Sequence, residues 1–210
     1  MIKKEHQIKH LSKSSIKNYI SCPFKFYLIN KLKISTPTPF CFSRGNAIHD
    51  TLYDSIIKKK ESVEFKEQVN FVKAILKKLE PWSVVVAEKR MNAEYQDMKL
   101  VGLMDLVIES NGKIIIFDYK SGNEHKIDGY RFELGIYAYI LELNGIKPTH
   151  WGIIFTDKQT VKVESIDSKY IAKAIGKSYQ VWTEIGERKF ERKLYACKFC
   201  QAKDKCDVLY

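Results

Sequence analysis

The chain has 210 residues, of which 45% are hydrophobic and 29% are charged. This composition is typical of a folded domain with a buried core, and it excludes a disordered or fibrous polypeptide. The 36 lysine and arginine residues outnumber the 25 acidic residues and give a net charge of +11. The excess favours a polyanionic partner, nucleic acid first, although a solvated lysine-rich surface would have the same composition.

The N-terminal ten residues are polar and basic, so they lack the apolar segment of a signal peptide. The best apolar run, Leu134–Leu143, is interrupted by Glu142 and is shorter than the roughly 18 residues of a membrane span. We therefore expect no membrane partner and a cytoplasmic location. In that reducing compartment, thiols are more often free or metal-bound than paired in disulfides.

Hydrophobic spacing and turn residues predict alternating helices and strands. In chain order we expect helices over 12–31 (broken near Cys22-Pro23), 44–59 and 64–79, a strand over 83–90, a hairpin over 101–122, a helix over 128–143, strands over 150–156 and 160–166, and a helix over 168–185. Ser12 or Ser14 is the expected N-cap of the first helix. The apolar run Ile114–Tyr119 predicts a central strand buried on both faces, and the whole order predicts an α/β fold.

The hairpin carries the strongest chemical signal. Asn111-Gly112 between two apolar runs favours a two-residue turn, since both turn positions need positive φ. That turn places Asp105 opposite Asp118, and strand alternation places Lys120 on the same face. Two opposed carboxylates in an apolar hairpin need a cation. The pattern therefore predicts a metal-dependent site that cleaves phosphodiesters; the alternative is a surface ribbon with exposed ion pairs.

Three motifs together resemble the PD-(D/E)XK nuclease superfamily: Gly102-x-x-Asp105, Asp118-x-Lys120, and a following helix with Glu133-x-x-x-Tyr137. Within it, the chain is most similar to RecB-type domains and to the small CRISPR-associated, RecB-like iron–sulfur exonucleases. The similarity extends over about 12–206. It implies a restriction-endonuclease-like core with a central mixed sheet flanked by helices.

The resemblance also implies roles for the hairpin residues. Asp105 and Asp118 would bind Mg²⁺ or Mn²⁺, and the backbone carbonyl of Tyr119 would be a further ligand. Lys120 would orient the attacking water or stabilise the transition state.

Glu133 and Tyr137 share one helix face and would lie near the active site and the DNA. The family usually has glutamine at the position of Glu133. The glutamate either adds an acid directed at the metal or repels phosphate, and the sequence alone leaves both interpretations open.

Two residues upstream of the hairpin are further metal-ligand candidates. His49, in Gly45-x-x-x-His49, resembles the histidine ligand of the RecB-type branch, although a lone helical histidine is usually structural. Glu88 follows an apolar strand, where it either adds a carboxylate to the site or marks the exit of the strand from the core.

Cys197-x-x-Cys200 with Cys206 predicts a metal site at the C-terminal end. Adding Cys22, which precedes a proline, makes the set resemble the iron–sulfur branch, in which four thiolates hold a [4Fe–4S] cluster. Zinc is the alternative, because it also accepts four cysteines. Cys41 is left over and is expected to be a small core residue.

We therefore expect a single nuclease domain over 1–210, with 1–43 and 186–210 joined by the Cys₄ cluster as one lobe and 44–185 as the nuclease core. The expected activity is a DNA exonuclease on single strands or duplex ends, with 5′→3′ polarity favoured and endonuclease activity open. CRISPR, phage or recombination processing would be its setting, with partner proteins or a homo-oligomer. The alternative is a DNA-binding or scaffold protein of the same fold without catalysis.

Overall fold

The computed structural model describes residues 5–37, 40–122 and 127–209, without the side chains of Cys41, Phe199, Val208 and Leu209. These residues form two compact units. The central unit consists of Pro39–Met91 and Gly102–Ala174, and the terminal unit of Met1–Thr38, Asn92–Val101 and Ile175–Tyr210. No helix within the described ranges has both the length and the apolar character needed to cross a bilayer.

The secondary structure follows the predicted alternation of helices and strands. The strands are β1 (Leu11–Ser12), β2 (Trp82–Tyr95), β3 (Met98–Ser110), β4 (Lys113–Lys120), β5 (His150–Phe155) and β6 (Thr160–Ser165). The α-helices are α1 (Lys13–Ser21), α2 (Pro23–Phe26), α3 (Phe40–Ile56), α4 (Lys66–Lys78), α5 (Ile127–Leu143), α6 (Ser168–Gly186) and α7 (Lys203–Leu209). A π-helix covers Tyr27–Lys31, and a 3₁₀ helix covers Leu194–Phe199.

In the terminal unit, the first helix begins where the sequence predicted. Ser12 is the N-cap: its hydroxyl accepts the Ser15 N–H at 3.2 Å, and the Ser12 N–H donates to the Ser15 hydroxyl at 2.8 Å. Helix α1 ends at Ser21 because Cys22 is extended and Pro23, which lacks an N–H, is preorganised to start α2. The predicted break at Cys22-Pro23 is confirmed, but the last part of the expected helix is π-helical.

The central unit contains a mixed sheet. Strand β4 lies between β3, to which it is antiparallel, and β5, to which it is parallel; β6 is antiparallel to β5 at the edge. The five residues Ile115–Tyr119 are all buried. The predicted central strand and the mixed sheet are therefore confirmed.

The register of the β3–β4 hairpin is also the predicted one. The ladder runs from Ser110 opposite Lys113 to Leu106 opposite Phe117, and the turn residues Asn111 and Gly112 both have positive φ. One further step of this register brings Asp105 opposite Asp118.

Apolar side chains of α3 and α4 pack onto this sheet and form the core of the central unit. Apolar residues three or four positions apart on each helix form one buried face, as expected for amphipathic helices. The most deeply buried members are Ile48, Leu52, Val72, Leu76, Leu106, Ile108, Phe117 and Ile154.

The strand preceding the hairpin differs from the prediction. Strand β2 runs on to Tyr95 instead of ending at Arg90, and β3 begins at Met98 instead of Val101. The two strands pair with each other across Gln96-Asp97, where Gln96 adopts φ +54°. This turn contains no glycine or asparagine, the residues that favour a hairpin turn, and it was therefore not predicted.

Candidate active site

The two hairpin acids of the central unit are both buried. Asp105 is 6% exposed and Asp118 is 2% exposed. The Asp105 Oδ2 accepts the Tyr119 N–H at 2.8 Å, which fixes the carboxylate against the neighbouring strand. Its other oxygen, Oδ1, lies 3.5 Å from His49 Nδ1.

Three donors from three elements converge beside Asp105. His49 on α3, Glu88 on β2 and Asp105 on β3 each offer a ligand atom, and these atoms all lie within 4.8 Å of one another. The His49 Nδ1 is 3.9 Å from Glu88 Oε1. One imidazole nitrogen and two carboxylates are a donor set that suits Mn²⁺ or Mg²⁺, so the residues fit the divalent ion that the hairpin acids predicted.

The orientation of the His49 ring is set by Tyr119. His49 Nε2 lies 3.2 Å from the Tyr119 carbonyl oxygen, and the two rings meet edge-on with centroids 5.6 Å apart. When the Nε2–H donates to that carbonyl, Nδ1 carries the lone pair that faces the acids, as in other histidine–metal sites. Burial lowers the pKa of His49, but the opposing effect of Asp105, Asp118 and Glu88 is greater, and the net shift is upward.

Glu88 has an unusual backbone for a strand residue. Its φ is +42°, a value that non-glycine residues rarely adopt and that costs about 1 kcal/mol or more. Positive φ in a strand is typical of positions where a side chain is re-aimed, often next to an active site. In this strand the re-aimed residue is a carboxylate that faces His49.

Lys120 lies between two buried carboxylates. Its Nζ is 2.6 Å from Asp118 Oδ2 and 3.1 Å from Glu133 Oε2. The ammonium also lies 5.2 Å from the ring centroid of Tyr130, one helical turn before Glu133. With 18% of its side chain exposed, Lys120 is held in place while still accessible from solvent.

Tyr137 is buried beneath the same face. A Cβ atom at Gly102 would come within 2.8 Å of the Tyr137 ring, so only glycine allows this close approach of β3 and α5. This contact gives the Gly102-x-x-Asp105 motif a packing reason. Tyr137 therefore packs against β3 in the core and does not face solvent.

A model of the PD-(D/E)XK nuclease superfamily matches residues 10–207. The chain belongs to this nuclease superfamily. It is 22% identical over 152 residues to the CRISPR-associated exonuclease Cas4 of Francisella tularensis subsp. novicida (strain U112), a match that covers 72% of this chain and 69% of that protein. The crystal structure of a candidate exonuclease from Eubacterium rectale aligns with a TM-score of 0.58 at 14% identity, covering 96% of this chain and 90% of the other.

This membership confirms the predicted family, the restriction-endonuclease-like fold and the nuclease class. The predicted site residues that carry charge lie in two groups. One is the three-donor group of His49, Glu88 and Asp105, and the other is Lys120 with its partners Asp118 and Glu133. Asp118 belongs to the lysine group by its contacts, although its charge also raises the pKa of His49. Glu133 faces the lysine. Neither predicted interpretation of this glutamate, an acid directed at the metal or an acid that repels phosphate, included this contact.

Tyr130 was not among the residues predicted from the sequence. Burial raises the pKa of its hydroxyl most strongly, Lys120 lowers it, and Glu133 raises it again. Its signal in the sequence is the spacing Tyr130-x-x-Glu133, which places both residues on one helix face. A tyrosine three residues before an acid is too common to be recognised without the position of Lys120.

The four predicted metal-binding cysteines lie together in the terminal unit, where they line one small cavity. Cys22 and Cys206 are buried, and Cys197 and Cys200 are half-buried; none of the four is in a disulfide. The Lys193 N–H points at Cys22 Sγ at 3.4 Å, and the Arg192 guanidinium lies 3.8 Å from Cys197 Sγ. The side chain of Cys41 lies outside the described residues.

Proposed function

We propose that this nuclease is a Mg²⁺- or Mn²⁺-dependent deoxyribonuclease that digests single-stranded DNA or duplex ends. The observation that carries the proposal is the convergence of His49 Nδ1, Glu88 and Asp105 within 4.8 Å. The net charge of +11 favours a nucleic acid substrate. The names of the two similar proteins, both exonucleases, support an attack at strand ends.

The chain's own residues prepare the site for phosphate. A divalent ion held by the three donors would polarise the phosphodiester and lower the pKa of a bound water. The Tyr119 N–H and carbonyl hold Asp105 and His49 in position, so the donors are ordered before substrate arrives. Such preorganised charge is a major source of catalytic acceleration.

Lys120 supplies the positive charge on the substrate side. Asp118 and Glu133 hold its ammonium at 2.6 and 3.1 Å, so that its orientation does not depend on the substrate. A fixed ammonium stabilises the extra negative charge of the pentacovalent transition state and orients the attacking water. Lys120 is thus the proposed catalytic cation, and Asp118 and Glu133 position it.

A [4Fe–4S] cluster on Cys22, Cys197, Cys200 and Cys206 is the second part of the proposal. Four free thiols lining one cavity fit a metal centre. Structural zinc sites with four cysteines more often contain two Cys-x-x-Cys pairs, whereas this chain has one, Cys197-x-x-Cys200. The single pair favours iron–sulfur over zinc.

The polarity and the biological setting rest on the family resemblance. We expect 5′→3′ digestion and a role in CRISPR, phage or recombination DNA processing. The similarity to a CRISPR-associated exonuclease supports the first of these settings.

Digestion of end-labelled DNA tests the proposal. The protein, purified without oxygen, is incubated with single-stranded DNA labelled at the 5′ or the 3′ end, and with a closed single-stranded circle, in Mn²⁺, Mg²⁺ or EDTA. We expect metal-dependent loss of the 5′ label first and little cutting of the circle. Cleavage that persists in EDTA would overturn the metal mechanism, and rapid cutting of the circle would indicate an endonuclease.

A further inference from the structure

A basic groove lies at the end of α3 and the start of β2 in the central unit, away from the residues described so far. Ile57, Pro81 and Trp82 line its apolar side, in a hollow with a volume of about 760 Å³. A neighbouring hollow of about 430 Å³ shares Ile56, Lys59, Glu80 and Trp82 with the first, and the two form one continuous groove. We call this surface the Trp82 groove.

Four exposed lysines give the Trp82 groove its charge. Lys59, Lys60, Lys73 and Lys77 line it with two acids, Glu61 and Glu80, and Lys60 is paired with Asp54 at 3.1 Å. The Lys59 ammonium lies 5.8 Å from the centre of the Trp82 ring. Lys73 and Lys77 lie one turn apart on α4, so both ammonium groups face the same way. Trp82 is half-buried and packs in part against the core of the central unit. Lysines around an indole that keeps some exposed surface are the combination that single-stranded nucleic acid uses, with phosphates on the cations and bases on the ring.

The groove is built from the same two elements that carry the metal donors. His49 lies on α3 about two turns before Ile56, a distance of about 10 Å along the helix. Glu88 lies on β2 about 20 Å along the strand from Trp82. These distances correspond to about three to six nucleotides at the roughly 3.4 Å per nucleotide of a duplex strand.

We propose that the Trp82 groove is a second DNA-binding subsite, which holds the part of the substrate strand several nucleotides from the scissile phosphate. Lys59, Lys73 and Lys77 contact phosphates, and Trp82 supplies a stacking surface for a base. The proposal rests on the proposed deoxyribonuclease activity and adds to it a requirement for substrate length.

Charge reversal with a matched control tests the groove. The double variant Lys73→Glu/Lys77→Glu changes the net charge from +11 to +7, because each substitution removes one positive charge and adds one negative charge. Lys173 and Lys177 have the same spacing on exposed positions of α6, so Lys173→Glu/Lys177→Glu makes the same change elsewhere. Binding of a fluorescent 20-nucleotide oligo(dT) is followed by anisotropy in EDTA, between 50 and 200 mM salt.

We expect the groove variant to lose about tenfold in affinity and the control to lose less than twofold. Because each phosphate contact on a single strand contributes about 0.7 to the salt slope, the slope should fall by about 1.4 in the groove variant alone. Trp82→Ala should weaken binding while Trp82→Phe retains most of it. Cleavage of a dinucleotide in Mn²⁺, whose scissile phosphate has to occupy the metal site and which is too short to reach the groove, should proceed at the same rate in wild type and groove variant.

Equal losses in both double variants would mean that only net charge matters, and would overturn the subsite. A loss in dinucleotide cleavage as large as the loss in 20-mer binding would overturn it as well. Binding in EDTA does not depend on cleavage. A protein that binds through the groove but never cuts DNA would therefore overturn the proposed nuclease mechanism and leave the subsite standing.

Discussion

Lys120 and Glu133 form a partly buried ion pair, with 3.1 Å between Nζ and Oε2. Glu133 is 2% exposed, so its charge is costly unless it is paired. The pair therefore explains why a buried acid is tolerated at this position: its carboxylate is directed at the lysine.

Replacing Glu133 tests this interpretation. Glu133→Gln keeps an oxygen that accepts a hydrogen bond from Lys120, so we expect cleavage within about tenfold of wild type. Glu133→Ala leaves the ammonium with Asp118 alone and should lower the cleavage rate about 100-fold. Single-turnover cleavage of single-stranded DNA in Mn²⁺ measures both rates. Equal rates in the two variants would show that Glu133 does not position Lys120.

Lys120→Ala should lower the cleavage rate by about 100- to 1,000-fold, because a preorganised cation is lost from the transition state. DNA binding measured in EDTA should change less than threefold. Lys162→Ala, on the edge strand β6, is the control and should cleave at the wild-type rate. If Lys120→Ala cut DNA normally, the proposed role of the lysine would be wrong.

His49→Gln should weaken Mn²⁺ binding about 10- to 100-fold, because the amide is a poorer ligand than the imidazole and loses the bond to the Tyr119 carbonyl. Calorimetric titration with Mn²⁺ in the absence of DNA measures this directly. The control is His150→Gln on β5, which belongs to no donor group among the described residues. Equal Mn²⁺ affinity in wild type and His49→Gln would remove His49 from the ligand set.

Cys22→Ser should lose most of the iron, whereas Cys41→Ser should keep about four irons per chain. Iron and sulfide are quantified after purification without oxygen, and the visible absorption of the cluster is recorded. Zinc in place of iron in the wild-type protein would overturn the iron–sulfur assignment and leave the nuclease site unaffected.

Glu5 makes the terminal unit sensitive to acid. Hydrogen bonds from Arg188 and then from Tyr27 lower its pKa from 4.5 to about 2. A depressed pKa in the folded state means that Glu5 contributes stability above about pH 4.5, and that this contribution is lost as the pH falls toward 2.

Glu5→Gln should therefore destabilise the protein at pH 7 by about 1 kcal/mol, a modest value because the pair is partly solvated. The difference from wild type should vanish near pH 2. Urea unfolding followed by circular dichroism at pH 7, 4 and 2 measures it. A difference that stays constant across this range would contradict the assigned pKa.

The hairpin could be predicted closely because its information is local. Asn111-Gly112 sets the turn, and the turn sets the register that brings Asp105 and Asp118 together. The sequence left two interpretations of Glu88 open. The direction of its side chain depends on a positive φ, which cannot be predicted for a glutamate. The contact between Lys120 and Glu133 could also not be predicted, because it forms only through the packing of α5 on the sheet. The local register was thus predictable, whereas the direction of Glu88 and the contact of Lys120 with Glu133 depend on tertiary packing.

The convergence of His49, Glu88 and Asp105 has a consequence for how the protein is made. The three donors leave the ribosome one after another, on a helix and two successive strands, and Lys120 and Glu133 follow later still. A chain that ends before Lys120 carries the three metal donors without the proposed catalytic cation. We therefore expect such an incomplete product to lack cleavage activity.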